Sequence, residues 1–137
     1  MKKVFFIGMI SFLLFSCKKE VKSDVPLIQE PSEMSTLMLQ MYQANEKVKQ
    51  QILKGEKLSD FSEDFLQIYT ATLTDPADRN EKFKLFSDAY LSSLKNVFET
   101  PKDSLKSAFN QSINSCIACH QNACPGPIPR IQKLLIK

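Results

Sequence analysis

An all-helical domain is what this sequence predicts, and three observations carry that expectation. Only three glycines occur in 137 residues. No segment alternates apolar and polar residues as a half-buried strand would. Apolar residues recur instead at helical spacing along successive stretches, and two of these stretches open on the same start signal.

Helix 1 is expected from about Ser32 to Lys54, with Met34, Leu37, Met38, Met41, Ala44, Val48 and Ile52 on one broad face. Gly55 stops it. Helix 2 is expected from Asp60, paired with Glu63 in a capping-box-like arrangement, to about Leu73, carrying Phe61, Phe65, Ile68 and Tyr69. The next two starts share one device. Asp75-Pro76-Ala77-Asp78 and Thr100-Pro101-Lys102-Asp103 each supply a capping oxygen, a proline where a missing N–H costs nothing, and an acid that complements the helix dipole. Helix 3 then spans about 76 to 99, burying Phe83, Phe86, Tyr90, Leu94 and Val97. Helix 4 spans about 101 to 122, with Leu105, Phe109, Ser112, Cys116, Cys119 and His120 on one side. Four helices with short connections predict an antiparallel up-down-up-down bundle.

The N-terminus is set apart from this domain. Met1-Lys2-Lys3 is a short basic region, and residues 4–15 form an apolar run too short to span a bilayer but suited to a signal peptide. Leu14-Phe15-Ser16-Cys17 resembles the bacterial lipobox, which implies removal of residues 1–16 and a diacylglyceryl group on the Cys17 sulfur. An ordinary signal peptide with an incidental cysteine is the alternative. Residues 17–31 read as a tether, leaving 32–137 as one small domain with a proline-rich C-terminal tail. That is near the size at which a prosthetic group helps complete a core. Residues 1–16 hold Lys2, Lys3 and no acid, so the remaining chain has a net charge of about +1. Nothing in that balance points to nucleic acid. The expected location is an exported lipoprotein anchored in a membrane and facing the periplasm, and Lys18 after Cys17 favours the outer membrane.

Three of the four cysteines and the one histidine fall in the segment SCIACHQNACPGP. Cys116-Ile117-Ala118-Cys119-His120 is the attachment signature of c-type haem. On a helix, positions i, i+3 and i+4 share a face, so two thioethers and one iron ligand can meet one flat ring. A thioredoxin-like redox pair would need a βαβ context. A zinc site on Cys116, Cys119, His120 and Cys124 would need the helix to break, because three of the four point the same way. A plain disulfide leaves His120 unexplained. With no second histidine, the sixth iron position falls to methionine, a weaker ligand or none. Met34, Met38 and Met41 on helix 1 lie at about the height of His120 in an antiparallel bundle, where the ordinary role of a methionine is core filling.

Over about residues 32 to 122 the arrangement resembles the cytochrome c-prime family. The resemblance rests on Cys116-Ile117-Ala118-Cys119-His120 near the end of helix 4, and on Leu37-Met38-Leu39-Gln40-Met41 followed by Lys54-Gly55-Glu56. It implies a four-helix bundle with haem c covalently attached to helix 4. It also implies Met38 as the sixth ligand, as in the methionine-ligated low-spin relatives. The family usually has a basic residue four positions after the haem histidine, where this chain has Cys124. Arg130 is the candidate to meet a haem propionate in its place, although the prolines around it do no more than stop helix 4 and turn the chain. Cys124 is expected to be buried as a small hydrophobe, with an intermolecular disulfide as the other reading.

The function implied is electron carriage through a His/Met-ligated haem rather than enzymatic catalysis. The alternative is a five-coordinate haem protein that binds nitric oxide or carbon monoxide. Redox partner proteins and a membrane are the expected contacts, and a homodimer is compatible with the sequence.

Overall fold

The computed structural model describes residues 30–137. The expected signal peptide at residues 1–16, the expected lipidation of Cys17 and nearly all of the expected tether fall outside the described residues. Within them the fold is all-α, without strands: α1 spans Glu33–Lys54, α2 Glu81–Glu99, α3 Leu105–Ala123 and α4 Ile128–Ile131. None of these helices is long and apolar enough to cross a membrane.

Helix α1 has the limits its sequence gives it. The Ser32 hydroxyl accepts from the Ser35 N–H at 3.2 Å, and Gly55 closes the helix at φ 68°, where a side chain would be strained. The expected second helix does not form. In its place stands a 3-10 segment, Glu63–Tyr69, whose N-terminal flank is Ser62 with no side-chain cap, so Asp60 caps nothing. Tertiary hydrogen bonds take the backbone that an α-helix would have used. Thr72 N–H donates to the Glu33 carboxylate at 2.8 Å, and the Thr72 carbonyl accepts from Met34 N–H at 3.0 Å. Arg79 also reaches back to the carbonyls of Tyr69 and Ala71, capping the segment from outside. Phe65 and Ile68 are buried as expected, but Tyr69 is exposed and donates to Asp88.

The two proline starts are also displaced. Asp75 caps the Ala77 N–H at 2.9 Å, yet the element it opens is a three-residue 3-10 turn, Pro76–Asp78. Helix α2 begins only at Glu81, with the Asn80 side chain accepting from Phe83 N–H. The Thr100 hydroxyl turns back to the Asn96 carbonyl instead of capping forward, and another 3-10 turn, Lys102–Ser104, precedes α3.

Helix α3 runs back along α2, with the Ser93 and Ser115 hydroxyls 3.3 Å apart. Helix α1 lies beside both, and its direction opposes that of α3. Two apolar clusters fill the space. One joins Leu37 and Met41 of α1, Phe65 and Ile68 of the 3-10 segment, and Tyr90 and Leu94 of α2. The other joins Val48, Val97, Phe109 and Ile113 with Ile131, Leu134 and Ile136 from the C-terminus. Cys116 packs against both. The C-terminal tail is thus part of the core, fastened by Asn110, whose amide donates to the Ile136 carbonyl at 2.8 Å and accepts from its N–H at 2.9 Å.

Candidate functional site

Helix α3 continues without a break to Ala123, so Cys116, Cys119 and His120 keep the one-face arrangement of their spacing. All three line a cavity of about 390 Å³, a size typical of small-molecule and cofactor pockets. From α1 come Met38, Met41, Tyr42 and Asn45, and from α2 come Phe86, Ser87 and Tyr90. Pro127, just before α4, and Arg130 within it add to the wall. No Asp or Glu lines it, and Arg130 is its one charged side chain.

The histidine is held in one tautomer. His120 Nδ1 lies 2.9 Å from the Cys124 carbonyl, which can only accept, so Nδ1 carries the proton and Nε2 keeps a free lone pair. The helix end makes this possible, because Cys124 N–H still donates to the His120 carbonyl while the chain turns out of the helix. Cys124 itself is exposed, not buried as expected. Its position past the last turn of α3, ahead of Pro125, carries the side chain away from the packed face.

Burial pushes the Cys116 thiol up to about 12, with the nearby Cys119 adding to it, and burial also raises Cys119. Tyr90 is raised well above its ordinary value by burial first and by the Cys116 charge second. These thiols therefore stay neutral in the folded chain.

The three methionine candidates separate. Met38 and Met41 line the cavity, whereas Met34 is buried in the first apolar cluster and does not. Met41 is fully built into that cluster, while Met38 is half-buried at its margin. Arg130 is exposed at the cavity, its guanidinium 4.2 Å from the centre of the Tyr42 ring. It has no carboxylate partner, since Lys84–Asp88 is the one ion pair among the described residues.

Asn45 and Tyr90 are site residues that the sequence does not single out. The one signal for Asn45 is a polar residue on the apolar stripe of α1, between Met41 and Val48. Among the described residues, no group of three or more His, Cys, Asp and Glu side chains is gathered closely enough to hold a bare metal ion. No protein-family model, curated protein or solved structure matches the chain.

Proposed function

We propose that this chain is a c-type cytochrome of the cytochrome c-prime kind, anchored by lipid at Cys17, that carries single electrons through one haem. The observation that carries the reading is the cavity shared by Cys116, Cys119 and His120 of α3 with the methionines of α1. In this reading the fold is a four-helix bundle whose second helix has contracted to a 3-10 segment.

The donor set fits haem c. Two thiols and an imidazole lie on one helical face, a thioether lies on the neighbouring helix, and the wall is mostly apolar. Cys116 and Cys119 would hold the group through thioether bonds, His120 Nε2 would ligate the iron, and Met38 would take the sixth position. When bound, haem supplies a one-electron couple whose potential is raised by a thioether ligand.

The chain's own residues do the rest. The hydrogen bond from Nδ1 to the Cys124 carbonyl fixes the imidazole ring and makes Nε2 a better donor. Met38 can turn into the cavity without emptying the core, because it sits at the margin of its cluster. Arg130 offers an unpaired cation at the surface for the propionate carboxylates. Held there, the propionates would leave the charged edge of the ring outward.

Expression with a cytochrome c maturation system, and then a haem stain on a denaturing gel, tests the covalent attachment. For the ligand, wild-type protein should be low-spin and indifferent to carbon monoxide in the ferrous state. Met38→Ala should become high-spin, bind carbon monoxide stoichiometrically and fall in potential. Met41→Ala should stay low-spin while losing about 2–5 kcal/mol of stability. Wild-type protein that is already high-spin would replace electron carriage with gas binding, and an unstained band would remove haem altogether.

A further inference from the structure

Three polar groups meet in the cavity wall, one from each long helix: Asn45 of α1, Tyr90 of α2 and Cys116 of α3. Asn45 and Tyr90 are each 3% exposed, and Cys116 packs against the apolar cluster that holds Tyr90. Asn45 Nδ2 donates to the Met41 carbonyl at 2.8 Å and to the Tyr90 hydroxyl at 2.9 Å, which uses both amide hydrogens. Turning the amide over would press Oδ1 against the Met41 carbonyl, acceptor against acceptor, so the orientation is fixed. Tyr90 Oη therefore accepts from Asn45, and its own O–H must point elsewhere. It is directed at the Cys116 sulfur. Burial is the largest influence on the acidity of both groups, and beside it this hydrogen bond holds the proton on Tyr90 and eases its loss from Cys116, as donation from oxygen to sulfur requires. The donors thus run one way, from Asn45 through Tyr90 to Cys116, with the positive ends of both dipoles toward the sulfur. Asn45 Oδ1 is left without a partner, a costly arrangement that a leucine on the apolar stripe of α1 would avoid.

We propose that Tyr90, aimed by Asn45, is the positioning residue of the Cys116 sulfur, and that its O–H dipole raises the reduction potential of the group which that sulfur holds. This role rests on the haem reading given above. Cys116 would then be a thioether, whose sulfur still accepts a hydrogen bond. The bond restrains the sulfur on its α2 side. Fixed positive dipole ends beside the ring disfavour the extra positive charge of the oxidised state, and they do so in a mostly apolar wall where screening is weak. The two sulfurs are thereby inequivalent, because burial alone raises the Cys119 thiol.

The test is a redox titration of the haem-loaded full chain, followed by absorbance, together with a crystal structure of the wild-type protein. Tyr90→Phe should keep the wild-type spin state and shift the ratio of oxidised to reduced protein at a fixed applied potential about threefold toward the oxidised form, a fall of about 28 mV. Asn45→Leu should shift it the same way and by less, because Tyr90 keeps its O–H and loses only its aim. Leu94→Ala, which empties a site 1% exposed in the same cluster, should lower stability and leave the potential unchanged. An unmoved potential in Tyr90→Phe, or an equal fall in Leu94→Ala, overturns the proposal. The crystal structure reads the geometry without redox chemistry and needs no variant to fold: Tyr90 Oη should lie within hydrogen-bond reach of the Cys116 sulfur, and a hydroxyl turned away from it overturns the proposal. Intact mass separates the two failures. A wild-type chain without haem refutes the cytochrome and this role with it, whereas a loaded chain indifferent to Tyr90→Phe refutes this role alone.

Discussion

His120 shows how one hydrogen bond turns a side chain into a defined donor. Its Nδ1–H donates to the Cys124 carbonyl, and Nε2 is the atom left to bind. The cysteines around it differ by depth: Cys116 and Cys119 are half-buried, with thiols raised by burial, while Cys124 is exposed. If Cys17 is lipidated and Cys116 and Cys119 are thioether-bonded, as proposed, the mature protein should present one reactive thiol per chain, at Cys124. A thiol-reagent count should read one in buffer and remain one in denaturant. A count that rises to three on unfolding would show that Cys116 and Cys119 are not bonded to haem.

At the scale of elements, the start of α2 separates a cap that matters from one that only resembles it. Asp75 and Asn80 both accept from a backbone N–H, but Asp75 holds a three-residue turn and Asn80 holds a helix of 19 residues. Asn80→Ala should therefore cost about 0.5–2 kcal/mol, and Asp75→Ala should stay within about 0.5 kcal/mol of wild type. Urea unfolding of the two variants checks this. Pro76 does mark a break in the chain, but the helix behind it starts at Glu81 and not at the proline itself. The second helix fails for a related reason. Phe65 and Ile68, three apart, suit a 3-10 turn as well as an α-turn, and the choice falls to Glu33 and Arg79, whose side chains bind the backbone around Tyr69 to Thr72.

For the whole molecule, the C-terminal segment is what joins α1 to α3 below the cavity. Lys49 donates to the Lys133 carbonyl at 2.6 Å, Asn110 clamps Ile136, and Leu134 is 2% exposed between the helices while also lining the cavity. Leu134→Ala should destabilise the domain by about 2–5 kcal/mol, seen as a lower denaturation midpoint with an unchanged slope. A change under about 1 kcal/mol would mean that the tail is a cover and not part of the core.

The sequence by itself determined what depends on neighbours within a turn or two. It placed α1 between Ser32 and Gly55, made the domain all-helical, and set Cys116, Cys119 and His120 on one face, because helical spacing fixes that geometry wherever the helix lies. Only the tertiary structure decided which methionines reach the cavity, that Cys124 is exposed, that Glu63–Tyr69 is a 3-10 segment, and that Asn45 meets Tyr90. Each of these turns on contacts between residues far apart in the chain: Glu33 with Thr72, Asn45 with Tyr90, Met38 with His120 across one cavity, and Asn110 with Ile136. A local pattern states what a residue can offer. The partner that accepts the offer is chosen by packing, where burial makes an unpaired polar group costly enough to override helix propensities worth less than about 1 kcal/mol per residue.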